Sequence, residues 1–172
     1  MITKSSHDDA LYAHFVTFSC YRNRNLLDHD QAKRVVLGVL DSQRLIQSAR
    51  ILGFVMMPNH VHALIWFPQT GQLSQFMKQW KQRTSKIIRR DVMPMLPAYQ
   101  KQIEDGSAFW QRKYHAFQVW SDEKLIEKLN YMHLNPVRAG FVDRATDWRW
   151  SSARHYEWNR TVGIPIEWCP TG

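Results

Sequence analysis

Polar and apolar residues alternate from Ala13 to Tyr21, in AHFVTFSCY, and β-branched and aromatic side chains dominate, so the stretch predicts a strand. In HDQAKRVVLGVLDSQRLIQSA the spacing lengthens: Ala32, Val35, Val36, Val39 and Ile46 recur at helical intervals. ILGFVMM reads as a second strand, Pro58–Asn59 as a turn and HVHALIWF as a third strand, which makes Ile51–Phe67 a hairpin. GQLSQFMKQWKQRTSKIIRRD is a second helix with an apolar stripe of Leu73, Phe76, Met77, Trp80, Ile87 and Ile88. VMPMLPAYQKQIEDGSA, with two prolines and a glycine, reads as a loop, and FWQRKYHAFQVW as a fourth strand or a bent strand pair. SDEKLIEKLNYMHLNPVRAG is a third helix: Ser121 is its N-cap, Asp122 and Glu123 sit at the positive end of its dipole, and Pro136 forces its end. From Phe141 the tail reads as irregular and rich in Trp and Arg.

The order strand, helix, strand, strand, helix, strand, helix predicts an α+β fold, a ferredoxin-like antiparallel sheet with helices packed on it. The 172 residues suffice for one domain over 1–172, with 141–172 as its Trp/Arg-rich C-terminal tail. A hydrophobic share of 44% supports a packed core, and the apolar runs fall far short of a membrane span. The N-terminus has no apolar signal core, and the 2 cysteines, Cys20 and Cys169, form no C-x-x-C pair. A reducing cytoplasm is therefore the expected compartment, with no membrane partner and no disulfide framework. The net charge of +8 points to a polyanion, with nucleic acid foremost. The 8 tryptophans sharpen that reading, because unpaired bases stack on aromatic faces while Lys and Arg meet phosphates.

MPNHVHALIWF holds the first candidate chemistry. Side chains alternate across a strand, so His60 and His62 face one way, with Cα atoms roughly 6.5 Å apart. Two imidazoles at that spacing can share one divalent ion, although H-x-H also occurs in strands where histidine only packs. No cysteine stands nearby and the oxygen donors are amides and carboxylates, which suits Mg²⁺ or Mn²⁺ acting on a phosphate better than zinc.

KLNYMHLNPV holds the second. Leu125, Leu129, Met132 and Pro136 form a stripe to be buried, while Tyr131 and Asn135, four apart, stack on another face. Lys124 and Lys128 share that side. An ordinary phenol keeps its proton at neutral pH, so a nucleophilic Tyr131 needs cations beside it. Without them it is a surface tyrosine. Asn135 can reach an ion held by His60 and His62, whereas His133 lies nearer the apolar stripe and reads as structural.

The strand MPNHVHALIWF and the helix motif YMHLNPVRAGFV together resemble the single-tyrosine HUH transposases. FWQRKYHAFQVW, NPVRAGFV and DWRWSSARHY narrow the resemblance to the REP-associated tyrosine transposases, a branch tied to repeated palindromes of bacterial chromosomes. The similarity runs from about Ala13 to Tyr156 and implies the HUH endonuclease/transposase fold. It implies that His60, His62 and Asn135 hold Mg²⁺ or Mn²⁺, and that Tyr131 attacks the scissile phosphate to leave a 5′-phosphotyrosine and a free 3′-hydroxyl. That bond conserves the phosphodiester energy, so strands are rejoined with no nucleotide cofactor. The implied partner is single-stranded DNA beside a hairpin, and the implied setting is the nucleoid. The branch is expected to act as a monomer with its tyrosine helix in cis, while some HUH transposases are homodimers.

On the substrate side, Lys78, Lys81, Arg83, Lys86, Arg89 and Arg90 are candidates for phosphate contacts, with Lys124 and Lys128 beside the tyrosine. In the tail, Arg149, Arg154 and Arg160 interleave with Trp148, Trp150, Tyr156 and Trp158, a pattern that can grip unpaired bases. Trp148 and Trp150 are the ones expected to pack. Two departures qualify the resemblance. Tyr114 precedes His115 where some relatives carry an acid, so His115 is given no metal or base role. MITKSSHDD has no match to the segment with which some relatives read the hairpin foot. Two other readings use the same residues: a non-catalytic hairpin-binding protein, and an HUH nickase of the replication-initiator or relaxase type.

Overall fold

The computed structural model of the protein describes residues 11–101, 103 and 106–169; the MITKSSHDD stretch lies outside them. Four strands, β1 (Ala13–Ser19), β2 (Arg50–Met56), β3 (His60–Trp66) and β4 (His115–Val119), form one antiparallel sheet in the order β2-β3-β1-β4. The sequence-adjacent β2 and β3 make the expected hairpin. The helix α1 (Asp30–Ile46) carries the chain from β1 past β3 to β2, the ferredoxin-like crossover.

Alternation along the strands serves two cores. On one face Val16, Phe18, Phe54, Met56, Val61, Ala63 and Ile65 pack with Ala32, Val36, Val39 and Leu40 of α1 and with Phe76, Met77 and Trp80 of α2 (Gln72–Ile87). On the other, Ala13, Phe15, Leu52, Val55, Leu64 and Val119 pack with Leu125, Leu129 and Met132 of α4 (Asp122–Arg138). Leu52 is an extra residue in β2, a bulge between the pairs Ile51–Ile65 and Gly53–Leu64. Gly53 then lies directly under α4: a Cβ there would stand 2.5 Å from Leu129 Cδ2 and 3.0 Å from Met132 Cε. Glycine lets the helix sit this close to the sheet.

Four local expectations need correcting. Ile46 is exposed because α1 ends there, beyond its buried stripe. The stretch after α2 is no simple loop: a π-turn (Ile88–Val92), a 3₁₀ turn (Met93–Met95) and α3 (Pro97–Gln100) tuck Val92, Met93 and Tyr99 into the core. Pro94 and Pro97 sit at the starts of these turns, where a missing N–H costs nothing, so they begin structure instead of breaking it. Pro136 lies inside α4, which runs on to Arg138 and closes at Gly140 (φ 78°), with Gly140 N–H donating to Val137 O and Phe141 N–H to Pro136 O.

The tail also holds more structure than expected. It forms a 3₁₀ turn (Ala145–Asp147) and α5 (Ala153–Trp158), and it covers the outer edge of β2. Met56 N–H donates to Trp150 O, Ser152 N–H to Phe54 O and Glu167 N–H to Ile51 O. Trp150 is buried, as expected, and Trp148 half-buried. Among the described residues no strand pairs beyond β4, and among them that edge of the sheet is open. No helix among them is long and apolar enough to cross a membrane.

Candidate functional site

His60 and His62 project from β3 towards α4, while Val61 between them enters the opposite core. Their rings lie 4.8 Å apart, nearly perpendicular at 79°. Each Nδ1 has an oxygen partner: Asn59 Oδ1 at 2.6 Å for His60, Thr17 Oγ1 at 2.7 Å for His62. An amide oxygen only accepts, so His60 Nδ1–H is the donor and its Nε2 keeps a lone pair. The Asn135 amide donates to His62 Nε2 at 3.2 Å, which puts the lone pair at Nε2 of His62 as well and its proton at Nδ1, towards Thr17. Burial lowers the basicity of His60, and His62 is pushed down to about 3 by burial first, then by His60, Arg138 and Lys128. Both rings are neutral at pH 7, the state in which imidazole binds a metal.

α4 brings the second half. It starts because the Ser121 hydroxyl accepts from Lys124 N–H, and its apolar stripe seats it over Gly53. Tyr131 and Asn135 then share the flank turned to β3. The Tyr131 ring stands 5.6 Å from that of His62 and 6.0 Å from that of Phe15, edge-on to both, with 44% of the residue exposed. Arg138 Cζ lies 4.6 Å and Lys128 Nζ 6.0 Å from the Tyr131 ring centre. A phenol, two neutral imidazoles, an amide and two cations therefore converge within one chain.

The site fits a hard divalent ion. Both rings keep a lone pair at Nε2, their centres lie 4.8 Å apart, and the Asn135 amide, turned over, offers its oxygen. Among the described residues no three His, Cys, Asp or Glu side chains converge, so the remaining ligands would be water or phosphate oxygens.

The basic residues are dispersed. α2 packs on the other face of the sheet, so its cations do not meet Tyr131. Lys81 Nζ donates to the carbonyls of Gln111 and Arg112, Arg83 to Ser42 Oγ, Arg89 to Ser107 O, and Arg90 is paired with Asp91. Lys78 and Lys86 are exposed, and Lys78 lines a groove of about 260 Å³ with Lys81, Arg112 and Tyr114. On α4, Lys124 is drawn to Glu127 at 2.7 Å, while Lys128 stays over the aromatic rings. In the tail, Arg149 lies over Trp150 and 3.8 Å from Asp30, and Arg154 donates to Thr146 O. His133 is structural: buried, with Nε2 2.7 Å from Ser152 Oγ. His115 is exposed and pairs with Thr17, one strand farther out than His62.

Thr17, Asn59 and Arg138 belong to the site and were not foreseen from the sequence. Arg138, seven residues after Tyr131, was legible from helical spacing. Thr17 depended on the register of β1 against β3, which no local pattern reveals.

Residues 8–134 match the family described as "Transposase IS200 like". A Haemophilus influenzae protein provisionally named a REP-associated tyrosine transposase is 26% identical over 98 residues, covering 56% of this chain and 54% of that protein. The chain thus spans about half the length of that curated relative. The solved structure of a REP-associated tyrosine transposase bound to a REP hairpin superposes with a TM-score of 0.70 at 18% identity, covering 98% of this chain and 92% of the other.

Proposed function

The chain belongs to the IS200-like transposase family, and from that premise we propose that it cleaves and rejoins single-stranded DNA beside a hairpin, with Tyr131 as nucleophile. The observation that carries this reading is the approach of Tyr131 and Asn135, one helical turn apart, to the two neutral imidazoles of His60 and His62. The resemblance to a protein bound to a REP hairpin supports a palindromic partner.

The tyrosine oxygen bonds to phosphorus as the bond to the 3′-oxygen breaks. The phenol gives up its proton to solvent, and the departing 3′-oxygen takes one. A 5′-phosphotyrosine remains, and a 3′-hydroxyl reverses the step to join strands. Lys128 and Arg138 lie close enough to the ring to stabilise charge as it builds on the phosphate. Asn59 and Thr17 hold the imidazoles with Nε2 outward. His60, His62 and Asn135 would hold a Mg²⁺ or Mn²⁺ ion, which would supply Lewis-acid polarisation of the phosphate.

For the hairpin stem, Lys78, Lys86 and Arg112 offer phosphate contacts on the face opposite Tyr131. DNA that reaches both faces has to pass round an edge of the sheet, and among the described residues β4 is the open one. The test is an end-labelled hairpin with a single-stranded extension, taken from palindromes flanking the gene, mixed with protein and Mg²⁺ or Mn²⁺ and run on a denaturing gel. A metal-dependent covalent band, absent in Tyr131→Phe, is the expected result. Tight binding without a band on any hairpin would replace this reading with that of a non-catalytic hairpin-binding protein.

A further inference from the structure

The face that carries Tyr131 continues onto the edge strand. Phe117 on β4 pairs with Phe15, whose ring already touches the edge of Tyr131. The Phe117 and Trp120 rings lie 5.2 Å apart, tilted 41°, and are 37% and 56% exposed. Lys128 Nζ sits 5.0 Å from the Phe117 ring centre, 5.2 Å from that of Phe15 and 6.0 Å from that of Tyr131. Glu127, 3.9 Å from Lys128, is itself held by Lys124. An open sheet edge usually carries charge or cover; here it carries two large exposed rings beside a cation and a candidate nucleophile.

We propose that Phe117 and Trp120 are the stacking platform for a nucleobase next to the scissile phosphate, with Lys128 between platform and nucleophile to receive the phosphate that follows. The inference rests on the strand-transfer reading and says where the unpaired strand lies. Charge and continuity both favour DNA as the occupant. The platform offers a π-face to any base and an ammonium to its phosphate, which suits an unpaired strand and is tolerant of sequence. It also adjoins, through Tyr114 and Arg112 just before β4, the basic groove on the far face of the sheet. A strand passing round the open edge from that groove to Tyr131 crosses Phe117 and Trp120.

The test pairs a protein change with a DNA change. Binding of the same hairpin is measured by anisotropy with a normal extension and with one whose extension is wholly abasic, for the wild type and for Phe117→Leu/Trp120→Leu. Leucine keeps apolar bulk without a ring, and both positions are exposed. Thermal unfolding and binding of the hairpin without extension should therefore match the wild type. We expect the abasic extension to weaken wild-type binding about tenfold, and the variant to lose about tenfold on normal DNA with no further loss on abasic DNA. Losses that multiply to about a hundredfold, an abasic extension that costs the wild type nothing, or a variant that binds like the wild type would each overturn the platform alone. Wild-type protein with no affinity for any hairpin would overturn the strand-transfer reading with it. A self-association lost in the variant while DNA binding is unchanged would assign the patch to a second copy of the chain instead.

Discussion

Gly53 sets the distance between the sheet and the helix that carries Tyr131, and Gly53→Ala tests whether that distance matters to the chemistry. The added methyl would lie 2.5 Å from Leu129 Cδ2, 3.0 Å from Met132 Cε and 3.1 Å from Ser152 Oγ. Carbon atoms in contact sit at roughly 3.5–4.0 Å, so α4 or the Leu129 side chain must yield by about 1 Å. The backbone itself is not strained, because Gly53 is absent from the positive-φ residues. Overpacking of this kind costs about 1–3 kcal/mol, offset in part by about 0.5 kcal/mol from the stiffer unfolded chain. If α4 moves, Asn135 leaves His62 and Tyr131, the proposed nucleophile, leaves its line of attack. A misplacement of about 1 Å is worth roughly a hundredfold in rate. Urea unfolding reports the first effect and the initial rate of covalent adduct formation the second. A protein destabilised as expected, yet forming adduct within about twofold of the wild-type rate, would refute the idea that the seat of α4 positions the nucleophile.

Other outcomes follow from the same geometry. Asn59→Leu removes the acceptor for His60 Nδ1–H and should weaken Mn²⁺ binding about 10- to 100-fold in a titration followed by EPR, with little change in stability. Stability should fall as pH drops from about 6.5 towards 4, because the unfolded chain takes up protons that His62, held down at about 3, and His133, at about 4, refuse in the fold. Urea midpoints equal at pH 7.5 and pH 5 would contradict this. Lys78→Gln should reduce the salt dependence of hairpin binding by about one unit of slope without affecting folding. Lys81→Gln should instead lower the melting temperature, since Lys81 ties α2 to the carbonyls of Gln111 and Arg112.

Periodicity made the sheet, the large helices and the histidine pair readable, because each strand and helix has one face that must be buried. It failed where the deciding contact is distant in sequence. Prolines 94, 97 and 136 read as breakers, but their position within a turn decides whether the missing N–H matters. The basic stripe of α2 read as one surface for DNA. In the fold Lys81, Arg83 and Arg89 hold neighbouring segments, and the whole helix lies across the sheet from Tyr131. Lys124 and Lys128 looked equivalent beside Tyr131 until Glu127 claimed the first. Thr17 carries no local signal at all, since only the pairing of β1 with β3 brings its hydroxyl to His62.

The two sides of the sheet end differently. The outer margin of β2 is sheathed by the chain around Trp150, Ser152 and Glu167, whereas among the described residues the five residues of β4 have a strand, β1, on one side only. Among the described residues, β4 is the margin left for a further strand, against Phe117 and the approach to Tyr131. On the strand-transfer reading, a strand added at β4 and an unpaired DNA strand lying over Phe117 would exclude each other.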